Sequence, residues 1–201
     1  NAGSTGVSGM LVFSSGTTSA GNSGAIQIGT GTATSGRGGT LELTVGAGTS
    51  GTGGIMRMYA GDSSAATGGA MYIETGHGSI SSSGLLSIRT ADAGTSGQSG
   101  LLSFSSGSTS KGNSGSLNIG SGAAAGGKGG DNTVTVGDGD TGNGGSFSAV
   151  AGRTSSSNTG GSVEIASGEG SSANSGNIHI YTPNAGSTGV SGMLVFSSGT
   201  T

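Results

Sequence analysis

The chain has 201 residues, of which 49 are Gly, 39 Ser and 24 Thr, so three residue types make up more than half of it. Hydrophobic residues are 29%, aromatic 3% and charged 7%, with a formal net charge of −3 and no Cys. These values exclude a wide globular core, which takes about 45–50% apolar residues, and charge-driven disorder. They also exclude a collagen register, an ~18-residue membrane span, disulfides and thiolate metal sites, and a charge-recruited nucleic-acid or lipid partner.

From the N-terminus onward one phrase recurs: Gly, any, apolar, any, apolar, any, Ser/Thr/Ala/Val, Gly. It is anchored at Gly9, Gly24, Gly39, Gly54, Gly69, Gly84, Gly100, Gly115, Gly130, Gly145, Gly161, Gly176 and Gly192, with spacings of 15 nine times and 16 three times. The first half carries the pairs Leu11/Phe13, Ile26/Ile28, Leu41/Leu43, Met56/Met58, Met71/Ile73 and Leu86/Ile88. The second half carries Leu102/Phe104, Leu117/Ile119, Val163/Ile165 and Ile178/Ile180. Residues Gly9–Ser23 and Gly100–Ser114 match at an offset of 91, six phrases, and the next phrases match in the same order. Residues 1–18 recur unchanged as 184–201, an offset of 183. That identity, with Asn1 in place of Met, is read as a window of a longer tandem array.

A two-residue spacing puts both members of each apolar pair on one side of a strand, and the Gly density excludes helix. The expected fold is therefore all-β: a flat two-sided parallel β-solenoid with ~15-residue coils, twelve per 183-residue repeat and a six-coil sub-repeat. Residues 1–201 are expected to form a single continuous solenoid. Seven residues after each anchor stands another Gly, except Ala91 and Pro183, and this position is expected to be a corner needing positive φ or close backbone approach. Nine residues after each anchor the residue is always small: Thr18, Ala33, Gly48, Ser63, Gly78, Ala93, Thr109, Ala124, Gly139, Thr154, Gly170 and Ala185. These are assigned to a return strand whose small side chains receive the apolar pairs. Stacked coils would place Glu42 over Arg57 and Glu74 over Arg89. They would also align Asp62–His77–Asp92, Asp138–Arg153–Glu169 and a ladder of Asn113, Lys128, Asn143, Asn158 and Asn174. At ~4.8 Å per coil the axial repeat would be ~58 Å.

Several motifs invite a catalytic or binding reading, and each is explained more simply. Gly137–Gly142 fits GxGxxG and Gly122–Lys128 fits the start of a phosphate-binding loop, but neither precedes a helical pattern and glycine is abundant. Asp138, Asp140 and Asn143 lack the nine-residue period of calcium-binding β-rolls. His77 between Asp62 and Asp92, and His179 beside Glu164, read as surface charge columns. Met10, Met56, Met58, Met71 and Met193 read as packing, and Tyr59, Tyr72 and Tyr181 are too scattered to form a stacking platform. A flat Thr-x-Thr array of the ice-binding kind is missing, only Thr133/Thr135 fitting it. No Asn-x-Ser/Thr sequon occurs.

The phrases SGxLxFSSG, GNSGxIxIGTG, GRGGTLELTVG and TADAGTSGQSG resemble the Gly/Ser/Thr-rich tandem-repeat β-solenoid surface and fibre proteins of microalgae and related protists. The resemblance spans the chain and implies an extracellular or cell-surface architectural role. The expectation is a non-enzymatic structural protein forming a fibril or shaft by end-to-end stacking of coils, with an ice-binding protein or an adhesin stalk as the alternative. No catalytic, cofactor-binding or metal residue is assigned, and no cofactor. The expected partners are further copies of the chain in a fibre, lateral copies or O-linked glycans, with no nucleic acid and no membrane-spanning segment.

Overall fold

A computed structural model describes residues 6–199; the outermost residues of the terminal 18-residue identity, 1–5 and 200–201, lie outside the described residues. Among the described residues there is no helix and no strand. This overturns the flat two-sided β-solenoid with ~15-residue coils, and the ~58 Å axial repeat falls with it. The interior is also missing. No described hydrophobic or polar residue is buried, and Leu41, Met56 and Met71 are 54%, 50% and 48% exposed. The accessible surface is 19799 Å², whereas a folded monomer of this mass exposes roughly 8,200 Å² and its extended chain roughly 27,000 Å².

The period itself is realised. Bends occur at 19–21, 34–36, 49–51, 64–66, 79–81, 95–97, 110–112, 125–127, 140–142, 155–158 and 171–173, one after each apolar phrase. Most begin ten residues after the anchoring Gly. The extra residue of a 16-residue phrase has a definite place: after Gly84 it delays the bend to residue 95, and after Gly145 it widens the bend to 155–158.

The segment expected to be a return strand is a closed loop. The anchor amide donates to the carbonyl of the preceding corner residue: Gly54 to Gly46 at 3.4 Å, Gly69 to Gly61 at 2.8 Å and Gly84 to Gly76 at 3.0 Å. One block later Gly145 donates to Gly137 at 3.1 Å, Gly161 to Gly152 at 2.9 Å and Gly176 to Gly168 at 2.9 Å. Each bond closes nine or ten residues, the size of a small Ω-loop. The corner glycines thus serve mainly as acceptors. Of those corners only Gly16 has positive φ, at 87°, and none of them is approached closely at its Cβ position.

The chain divides into two units, Asn1–Leu102 and Ser103–Thr201. The division falls beside Gly100, where the six-phrase block begins its second copy, and each unit carries its own set of three closed loops.

The physical reason for the missing coil stack lies in the side chains. Two large apolar residues per phrase leave little area to bury, and the residues expected to face them are Gly, Ala, Ser or Thr. Ordering a Gly-rich backbone is entropically expensive, and Gly-rich strands specify their register weakly. A short loop closes at smaller entropic cost than a pairing across a whole coil.

Candidate functional site

The local structure of the chain is concentrated in two loop positions. The first is six residues after each anchor: Ser15, Thr30, Val45, Ala60, Thr75 and Thr90, then Ser106, Ser121, Val136, Ala151, Ser167 and Thr182. In every case this residue lies where a side chain on the next anchor Gly would stand. A Cβ on Gly39 would be 3.1 Å from Thr30 Cβ, and one on Gly145 would be 2.5 Å from Val136 Cγ1. The anchor must therefore lack a side chain. The residue type also tunes the closing bond. Ala60 and Ala151 permit the short bonds at Gly69 and Gly161, whereas the branched Val45 and Val136 stand over Gly54 and Gly145, whose bonds are the two longest. Thr30 Oγ1 donates to the Gly39 carbonyl at 3.2 Å and Thr182 Oγ1 to the Gly192 carbonyl at 3.1 Å, closing those loops from the side chain instead.

The second position, nine residues after the anchor, repeats as Thr, Ala, Gly, Ser/Thr, Gly, Ala in both blocks. Each chemical class has its own geometry. Ser63 Oγ accepts from the Ala66 amide at 2.9 Å, Thr154 Oγ1 accepts from the Ser156 amide at 3.3 Å, and Thr18 accepts from the Ala20 amide at 3.3 Å. These are the side-chain-to-backbone turns that Ser and Thr favour. The glycines sit where the loop folds onto itself. A Cβ on Gly139 would lie 2.5 Å from the Gly142 carbonyl oxygen and 2.6 Å from that of Asn143, and Gly48, Gly78 and Gly170 have the same surroundings. Half-buried residues are Ala60, Thr75, Gly78, Ala151, Thr154, Gly170 and Ala185. All belong to these two positions, so what shelter the chain provides lies within loops and not between apolar pairs.

The chemically suggestive residues are not assembled into a site. Around Gly139 the GxGxxG stretch turns carbonyl oxygens inward, the wrong polarity for a phosphate, which needs amides. Gly48 and Gly78 show the same carbonyls in loops without paired acids, so Asp138 and Asp140 do not cause the geometry. Neither Gly142 nor Lys128 leads into a helix. Among the described residues no three His, Asp or Glu side chains gather in one place, and no helix is long and apolar enough to cross a membrane. One open recess of about 320 Å³ is lined by Arg89, Thr90, Ala91 and Asp92, four consecutive residues at the first corner that lacks Gly.

The expected charge columns are corrected as well. Among the described residues the ion pair within 4.0 Å is Lys128 Nζ–Asp131 Oδ2, at 2.7 Å and three residues apart. Glu42–Arg57, Glu74–Arg89 and Asp138–Arg153–Glu169 make no such pair. In the expected polar ladder, Asn158 Nδ2 instead donates locally to Ser156 Oγ at 3.0 Å, and Lys128 is taken by Asp131. With coils unstacked, equivalent positions have no reason to meet. In comparison with family models, curated proteins and solved structures, nothing matches this chain.

Proposed function

We propose that the protein is a non-catalytic structural polymer of the cell surface or extracellular space, whose copies associate through their apolar phrases into filaments. The observation that carries this reading is the exposure of large apolar side chains at a regular spacing. Ile26, Leu41, Met56, Met71, Leu86 and Leu102 are each about half exposed or more, and they recur with the phrase along the whole chain. Such an array is unstable in water until something covers it. The chain has no interior for these side chains, and its own copies offer the same array at the same spacing. Assembly of this kind differs from end-to-end stacking of coils, because the contacts form between chains. The extracellular setting rests on the resemblance of the phrases to surface and fibre repeats.

Sedimentation across a hundredfold range of concentration, combined with electron microscopy, tests the reading. Concentration-dependent growth into filaments is the expected result. A species that stays monomeric throughout overturns it, and thermal hysteresis of that monomer would favour the ice-binding alternative.

A further inference from the structure

Charge adds a register to this association. Six pairs of charged or histidine side chains lie 15 residues apart, and each joins opposite signs when His is counted as a cation. Three use Arg: Glu42–Arg57 and Glu74–Arg89 in the first unit, Asp138–Arg153 in the second. The other three use His: Asp62–His77, His77–Asp92 and Glu164–His179. Within the chain none of these pairs meets as a salt bridge, so the complementarity is unused in the single molecule. We infer that the binding partner of this array is a second, parallel copy of the chain displaced by one phrase, 15 residues.

At that displacement the Leu41/Leu43 pair of one copy faces Met56/Met58 of the other, and Met71/Ile73 faces Leu86/Ile88, so apolar residues stay against apolar ones. Glu42 then faces Arg57, and Glu74 faces Arg89. Other displacements preserve the apolar match and lose the electrostatic one. In register, every charge faces its own copy. At 30 residues Asp62 faces Asp92. Exposed ion pairs contribute little each, but like charges held together are unfavourable, and their arrangement selects register more than it adds strength. A one-phrase displacement also leaves an unpaired phrase at each end, where a third copy can add. The association is then open-ended, as a head-to-tail contact that does not close on itself must be.

This inference rests on the self-association proposed above, and the test separates the two. A charge-swapped variant carries Glu42→Arg, Arg57→Glu, Glu74→Arg and Arg89→Glu, with net charge unchanged. It stays complementary to itself at a one-phrase displacement but opposes the wild-type chain. Wild-type and swapped chains are labelled with donor and acceptor dyes at a single introduced cysteine, the chain having none, and mixed at low salt. The expected result is sorting: energy transfer within each type exceeds transfer between types roughly tenfold, and the preference disappears in about 1 M salt. Preferential or statistical mixing of the two types overturns the displaced register while leaving self-association intact. Absence of association in either type overturns both.

Discussion

The Gly69 amide donates to the Gly61 carbonyl at 2.8 Å, and the equivalent bond one block later runs from Gly161 to Gly152 at 2.9 Å. Ala60 and Ala151 stand beside these two bonds, and they are among the few residues of the chain that are even half-buried. Duplication has therefore conserved a local closure down to the side chain that permits it. What repeats along this protein is a loop, joined to the next by an exposed apolar phrase.

Adding a methyl group tests the loop directly. Gly139→Ala forces a Cβ against two backbone carbonyl oxygens, at 2.5 and 2.6 Å, and neither can move without opening the loop. The Gly145 amide, which closes it, is expected to lose its protection from hydrogen exchange, roughly 2–10-fold for one exposed backbone bond. Gly122→Ala, where nothing lies within 4 Å, leaves the exchange pattern unchanged. Equal effects from both substitutions would count against a closed loop at Gly139.

Ser63 supports its bend through a single oxygen, which accepts from both Ala66 and Ala65 at 2.9 and 3.4 Å. Ser63→Ala is expected to cost about 0.5–1.5 kcal/mol of local turn stability and to raise the amide temperature coefficients at Ala65 and Ala66. Ser63→Thr retains the oxygen and rescues them, as Thr154 does at the equivalent place in the second block.

Without an interior the single chain has nothing to melt cooperatively. Calorimetry of a dilute monomer is expected to show no heat-absorption peak, and urea should change its circular dichroism gradually. The heat-capacity increment of unfolding comes from newly exposed apolar surface, and here that surface is already in water. A sigmoidal transition in dilute solution would contradict the exposure of Leu41, Met56 and Met71.

Proteolysis separates the free chain from the assembled one. Trypsin can act at Arg37, Arg57, Arg89, Lys111, Lys128 and Arg153, the six basic residues. In the monomer cleavage at all six is expected at comparable rates, because no fold shields any of them. In filaments Arg57 and Arg89, paired with Glu42 and Glu74 of the adjacent copy, should be cut roughly tenfold more slowly than Lys111, which faces no charge at a one-phrase displacement. Protection is expected to weaken with salt as the ion pairs are screened.

Much of this organisation is legible in the residues. The anchors from Gly9 to Gly192 set a period that returns as the spacing of the bends. The offset of 91 places the second block at Gly100, close to where the chain divides. The alternation of Thr, Ala, Gly, Ser/Thr, Gly, Ala nine residues after the anchor foreshadows three loop types, although small size alone suggested a wall receiving Leu41 and its counterparts. The signal that could have corrected this was chemical: Ser63 and Thr154 can bond their own backbone, and Gly139 can be folded over, whereas a uniform packing wall would have no use for six-phrase alternation.

Period, duplication and the pairing of opposite charges at 15 residues follow from the sequence alone, because they are properties of order along the chain. The destination of the segment after each corner was decided only in three dimensions. The same glycines allow either a crossing to the next coil or a turn back to the nearby anchor. The turn back prevails because it closes only nine or ten residues and satisfies a backbone amide at once, while the crossing must order a whole coil in exchange for contact with side chains too small to bury much surface.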